Sequence, residues 1–202
     1  MAKRAYLKGL TGARIWPVVE NTKDAYVVGA MIPLPGAQEL SKEVQRDEFT
    51  IYADDGVWDS GTEYKYEDLT FKIVEIPLEL EAKLSGGEYD PTTKIFTSRT
   101  TDTAPDYAFG CAALMADGEY RMYVYPFCKL MAIKVDHVTR GENAGATAYS
   151  LTLRNTQINK DNQGRFVRDS TDGTYDWLDN PDVLGQSTGP QEPEEPEEPE
   201  FP

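Results

Sequence analysis

The sequence predicts a mainly β domain with one short helix, and three observations carry that reading. Tyr is the commonest aromatic, with 12 copies beside 16 Gly and 13 Pro, a balance that favours strands and turns over long helices. Several segments alternate apolar and polar residues with the two-residue period of a strand buried on one face, most clearly Leu69, Phe71 and Ile73 around Thr70 and Lys72. Turn signals of the Asp-Gly and Pro-Gly kind separate these segments. At 202 residues and 40% hydrophobic, the chain can fill the core of one large domain.

Residues 4–20 read as an opening strand region. Pro17 lacks a ladder donor there, so an edge or a bend is expected. Tyr26 to Ile32 reads as a short apolar strand ended by Pro33-Leu34-Pro35-Gly36, and a more polar strand follows from Gln38 to Gln45. Phe49 to Ala53 runs into Asp54-Asp55-Gly56, with strand character resuming near Glu63-Tyr64-Lys65-Tyr66, which together reads as a long hairpin. After the Leu69–Ile73 strand, Pro77 suits a first helical position, Leu80 and Leu84 share a face, and Glu79 and Glu81 sit at the positive end. Gly86-Gly87 stops this helix, placing it at about residues 77–85.

A polar strand at Lys94 to Ser98 and an apolar one at Tyr107 to Leu114 come next, followed by a turn at Ala116-Asp117-Gly118. Tyr120 to Lys134 reads as a strand pair or as one strand bent at Pro126. Tyr149, Leu151 and Leu153 alternate with Ser150, Thr152 and Arg154 as another one-sided strand, and Gly164 to Arg168 supplies a last short one. The domain is expected to span residues 1–180. Residues 181–202 read as a disordered Glu/Pro-rich tail: Gly185-Gln186-Ser187-Thr188-Gly189 is linker-like, and residues 190–202 repeat Glu-Pro-Glu without the apolar content that offsets ordering entropy.

The formal charge of −15 argues against capture of nucleic acid or anionic membrane. Glu192, Glu194, Glu195, Glu197, Glu198 and Glu200 supply six of those charges, which leaves the body at −9. Cys111 and Cys128 are too few for a disulfide framework and lack the spacing of a zinc site, so they read as small apolar side chains in strands. No apolar run approaches membrane-spanning length and no signal-peptide pattern opens the chain, so a protein made and folded in a reducing cytoplasm is expected.

A catalytic reading finds little to rest on. His137 is the only histidine, no Gly-rich phosphate loop or G-x-S-x-G elbow is present, and the basic residues are scattered. Asp54-Asp55-Gly56 with Asp59 lacks EF-hand spacing, and a hairpin turn explains it better. No catalytic residue, cofactor or metal is expected, and the protein is read as not an enzyme.

The ordered series Leu34-Pro35-Gly36-Ala37, a polar strand, Tyr52-Ala53-Asp54-Asp55-Gly56, the Leu69-to-Ile76 strand and a short Leu-rich helix resembles the major tail proteins of long-tailed siphophages, in the group common in phages of Gram-positive bacteria. Ala104-Pro105-Asp106-Tyr107-Ala108-Phe109-Gly110 followed by Gly118-Glu119-Tyr120-Arg121 agrees, as do Tyr149 to Leu153 and Gly164 to Arg168. The resemblance covers roughly residues 25 to 180.

That resemblance implies a β-sandwich or half-barrel with a flanking helix, polymerising with copies of itself as hexameric rings stacked into a tail tube. Tape measure, distal tail and tail terminator proteins are the implied partners, in a virion tail made in the host cytoplasm. DNA would pass through the lumen without tight binding, and carboxylates from the polar strand faces are expected to line it. The implied arm between rings is the segment from Tyr52 to Tyr66, with Tyr52, Asp54, Asp55, Val57, Trp58, Tyr64 and Tyr66 as its interface residues. Two readings of its large side chains stay open: interface anchors, or a cover for the domain's own core. Some members of the family append an immunoglobulin-like domain after a linker; here the Glu-Pro segment reads as a bare remnant or a solvating brush. The alternative from another class is a β-sandwich module that binds carbohydrate or a host surface, which exposed aromatics in a shallow groove would favour.

Overall fold

The structure, a computed structural model, describes residues 6–135 and 149–185. In chain order its first strands are β1 (Leu7–Asn21), β2 (Tyr26–Val28), β3 (Ile32–Pro33), β4 (Ala37–Ala53) and β5 (Gly56–Ile73). Helix α1 (Leu78–Ser85) follows, then β6 (Glu88–Asp90), β7 (Ile95–Thr97), β8 (Asp106–Met115), β9 (Tyr120–Val135), β10 (Tyr149–Thr156) and β11 (Phe166–Asp169), and a 3-10 turn closes the series at Asp176–Asp179. The fold is mainly β, as expected.

One antiparallel nine-stranded sheet dominates, in the order β2-β1-β8-β9-β10-β5-β4, with β3 added on β1 and β11 on β9; β6 and β7 form a separate hairpin. The sheet curls until β1 and β4, near opposite ends of that order, line one cavity. Pro17 marks a bend: β1 pairs with β8 up to Pro17 opposite Tyr107, then with β2 from Val18 onward. Pro126 marks another. The β8–β9 register shifts between Tyr107 and Phe109, opposite Cys128 and Tyr125, while the far edge of β9 pairs with β11 before this point and with β10 after it. Of the two expectations for residues 120 to 134, the bent strand is the one observed.

Alternation builds two cores on the two faces of the sheet. Ile15, Leu69, Phe71, Phe109 and Leu153 fill the inner side, closed by Leu80 and Leu84 of α1. Burying each of those leucines contributes roughly 1.5–3 kcal/mol, which a two-turn helix cannot draw from its own backbone. Gly86 ends α1 in the left-handed conformation at φ 78°, and Gly87 N–H returns to the Ala82 carbonyl at 3.0 Å. On the outer side Trp16, Ala108, Met122 and Val124 are covered by Ile158, Leu178 and Leu184.

Three expectations change. The apolar segment Tyr26 to Ile32 divides into β2 and β3: Gly29 N–H still bonds the Pro17 carbonyl at 2.8 Å, but Pro17 has no N–H to return and the pairing ends there. The polar strand expected at 38–45 runs unbroken to Ala53, and its partner begins at Gly56 rather than near Glu63. The packed body also reaches Gly185, five residues past the expected boundary: Leu184 is buried, and Val28 N–H bonds the Gly185 carbonyl at 2.6 Å. The rest of the Glu-Pro segment lies outside the described residues, as does His137.

Candidate functional site

The β4–β5 hairpin outgrows the sheet. β10 pairs with β5 only from Glu67 to Ile73, so residues 46–66 form a two-stranded ribbon with no third strand. Its eight residues on the β4 side span roughly 25 Å. The tip is a two-residue turn in which Asp54 (φ 48°) and Asp55 (φ 64°) both take left-handed backbone, the geometry that matches strand twist in a tight hairpin. Aspartate adopts that region more readily than most side chains, and this is why strand pairing resumes at once at Gly56.

Bulges interrupt the arm twice. Lys65 is the extra residue opposite Gln45 and Arg46 at the root, and Trp58 is the extra residue opposite Ile51 and Tyr52 near the tip. A bulge increases twist and re-aims side chains, so Trp58 leaves the regular alternation. Tyr52 is 74% exposed and Trp58 71%, and Phe49, Ile51 and Val57 are exposed as well. An isolated two-stranded ribbon is marginal in water, and among the described residues nothing covers these side chains.

The large side chains differ in their surroundings along the arm. Tyr52, Val57 and Trp58 stand clear of the body, with Asp54 and Asp55 in the turn between them. Tyr64 and Tyr66 lean back on it: Tyr64 is partly buried near Gly164, and the Arg154 guanidinium lies 3.9 Å over the Tyr66 ring. Phe49 and Ile51 are arm residues that the sequence reading did not single out, although their alternation with Thr50 was a visible signal.

A polar knot anchors the root. Asn155, fully buried, donates to the Gly164 carbonyl at 2.7 Å and to the Glu67 carboxylate at 3.4 Å. Lys42 and Arg165 stand 3.6 and 3.8 Å from that same carboxylate. The arm beyond it carries Asp47, Glu48, Asp54, Asp55, Asp59 and Glu63 against Arg46 and Lys65, a net charge of −4.

The outward face of the sheet carries charges of both signs. By register, Lys72, Lys129, Lys134 and Arg154 share it with Glu39, Glu43, Asp68 and Asp106. Lys72 meets Glu39 at 2.7 Å and Arg154 meets Asp68 at 2.9 Å, because adjacent strands place opposite charges side by side. The acidity sits elsewhere, four charges on the arm and six in the Glu-Pro segment.

No group of three or more His, Cys, Asp or Glu among the described residues could hold a metal ion, and no described helix is long and apolar enough to cross a membrane. Cys111 and Cys128 are buried and free; burial pushes the Cys111 thiol up to about 12 and raises that of Cys128 further. Both fill strand positions, as the sequence suggests.

A cavity of about 720 Å³ opens between the facing edges of β1 and β4. Leu10, Leu40, Tyr123 and Val167 line it together with Lys42, Arg121 and Arg165. Arg121 is held by a two-point ion pair to Asp169 at 2.6 and 2.8 Å.

No protein-family model matches the chain, and no curated protein sequence does either. Among solved structures the chain is similar to the tube-terminating cap of the anti-feeding prophage, with 9% identity, a TM-score of 0.47, and coverage of 84% of this chain and 95% of that one. It is also similar to a chain of the anti-feeding prophage baseplate, with 10% identity, a TM-score of 0.39, and coverage of 84% and 97%.

Proposed function

We propose that this protein is a structural subunit that assembles with copies of itself into stacked hexameric rings, the tail tube of a long-tailed phage, through which DNA leaves the virion. The observation that carries the reading is the arm: a ribbon of about 25 Å that presents Tyr52, Val57 and Trp58 to solvent, with no cover among the described residues. Side chains of this kind, grouped at the end of a projecting element, are what an interface anchor requires. The curled sheet with one flanking helix agrees with the fold that the sequence resemblance implies. The balanced charge of the outward sheet face makes DNA passage a matter of weak contact, with no dependence on a uniformly negative wall.

Electron microscopy of the purified protein tests this, alone and with a tail initiator complex. Stacked rings are expected for the natural sequence, and Trp58→Ala is expected to yield folded subunits that do not stack. A normal tube from Trp58→Ala would remove the arm from the assembly. A persistent monomer with affinity for glycans would replace the tube with a binding module.

A further inference from the structure

We infer that the cleft between β1 and β4 is the receptor for the arm tip of a second copy, with the Trp58 indole on its apolar floor and the neighbouring carboxylates beside Lys42 and Arg165. The inference rests on the arm being an assembly element, and it adds the surface that the arm meets.

Shape, polarity and charge each lead to this pairing. A cavity of about 720 Å³ falls within the roughly 300–1,000 Å³ that encloses a drug-sized group, enough for an indole and an adjacent phenol. Leu10, Leu40, Tyr123 and Val167 offer that group an apolar and aromatic bed. Among the described residues the rims are strand edges with open sides: β1 from Leu7 to Thr11 pairs only with β8, and β4 pairs only with β5.

Charge selects the occupant. Glu39 and Asp169 also line the cleft but are held by Lys72 at 2.7 Å and Arg121 at 2.6 Å, whereas Lys42 and Arg165 share the single carboxylate of Glu67 at 3.6 and 3.8 Å, so two cations stand over one anion and can accept another. The arm brings Asp54, Asp55 and Asp59 next to Trp58 and has a net charge of −4. An arm that projects away from its own body reaches this cleft only in another molecule. Arm and cleft are different surfaces, so the contact is head-to-tail and propagates, as a ring or a stack demands.

Single-cysteine variants test the pairing, since the native Cys111 and Cys128 are buried and slow to react. Asp59→Cys is mixed at high protein concentration with Val167→Cys on the cleft, or with Leu7→Cys on its rim, under mild oxidation. The expected result is a disulfide-linked heterodimer forming at least about tenfold faster than with Lys160→Cys, an exposed position away from the cleft. Equal rates for the cleft and Lys160 partners overturn the cleft as receptor. If stacking is still lost in Trp58→Ala in that case, self-assembly through the arm stands with a different receptor; if the natural sequence neither stacks nor links, both readings fall.

Discussion

The ring of Phe49 lies across Gly61 on the facing strand, so close that a methyl group at Gly61 would sit 2.8 Å from the ring edge. The glycine leaves room for an aromatic lid where the ribbon has no third strand to lean on. Gly61→Val is expected to displace the ring and weaken the arm by about 0.2–1 kcal/mol, the scale of one cross-strand pair. Amide exchange should quicken across residues 46–66 while the body keeps its protection. Uniform quickening throughout the body would show that arm and sheet open together.

Leu178 is fully buried and packs with Trp16 over Gly110, where an added Cβ would stand 2.9 Å from the indole and 3.4 Å from Leu178, and it belongs to a turn whose Asp179 pairs with Arg14. Leu178→Ala should cost about 2–5 kcal/mol in urea unfolding, as core truncations do. A loss below 1 kcal/mol would mean that residues 170–185 do not fold with the sheet.

Asn155 donates to both the Glu67 carboxylate and the Gly164 carbonyl and so ties the root of β5 to the Gly164 loop. Asn155→Leu leaves a buried carbonyl and a buried carboxylate short of a donor, with an expected loss of about 1–3 kcal/mol. The loss should be seen in chemical denaturation with an unchanged m-value.

Both thiols are raised by burial, Cys111 from its ordinary value of 9.0 to about 12 and Cys128 further in the same direction. A group raised in the folded state gives its full stability below the unfolded value and loses it as pH climbs toward the folded one. Stability should therefore be flat through neutrality and fall between about pH 9 and 12, with a shallower fall in Cys111→Ala. Thiol-specific reagents at pH 8 should react only at the rate of unfolding.

Periodicity made much of the fold legible. Leu69, Phe71 and Ile73 announce a one-sided strand because one face alone is buried, and Pro77, Leu80, Leu84 and Gly86 fix the helix by local chemistry. The arm was legible as a hairpin, though its second strand was not. Val57 to Thr62 have no alternation because neither side of the ribbon faces a core, so no burial pattern was there to read. The cleft was invisible for a different reason: Leu10, Lys42, Tyr123 and Arg165 come from four separate segments that only the curl of the sheet brings together. The packing of Pro181 to Gly185 was hidden by the linker-like composition that follows it.

Ten of the fifteen net negative charges belong to two short stretches of the sequence, the arm and the Glu-Pro segment, so much of the charge that keeps the free subunit soluble is concentrated there. At the sequence pI of about 4.4 the chain as a whole carries no net charge, while Tyr52, Val57 and Trp58 remain as exposed as before. Mild acid then leaves sticky arms without electrostatic restraint, and precipitation in that range becomes a property of the arm that neutral buffer should reverse.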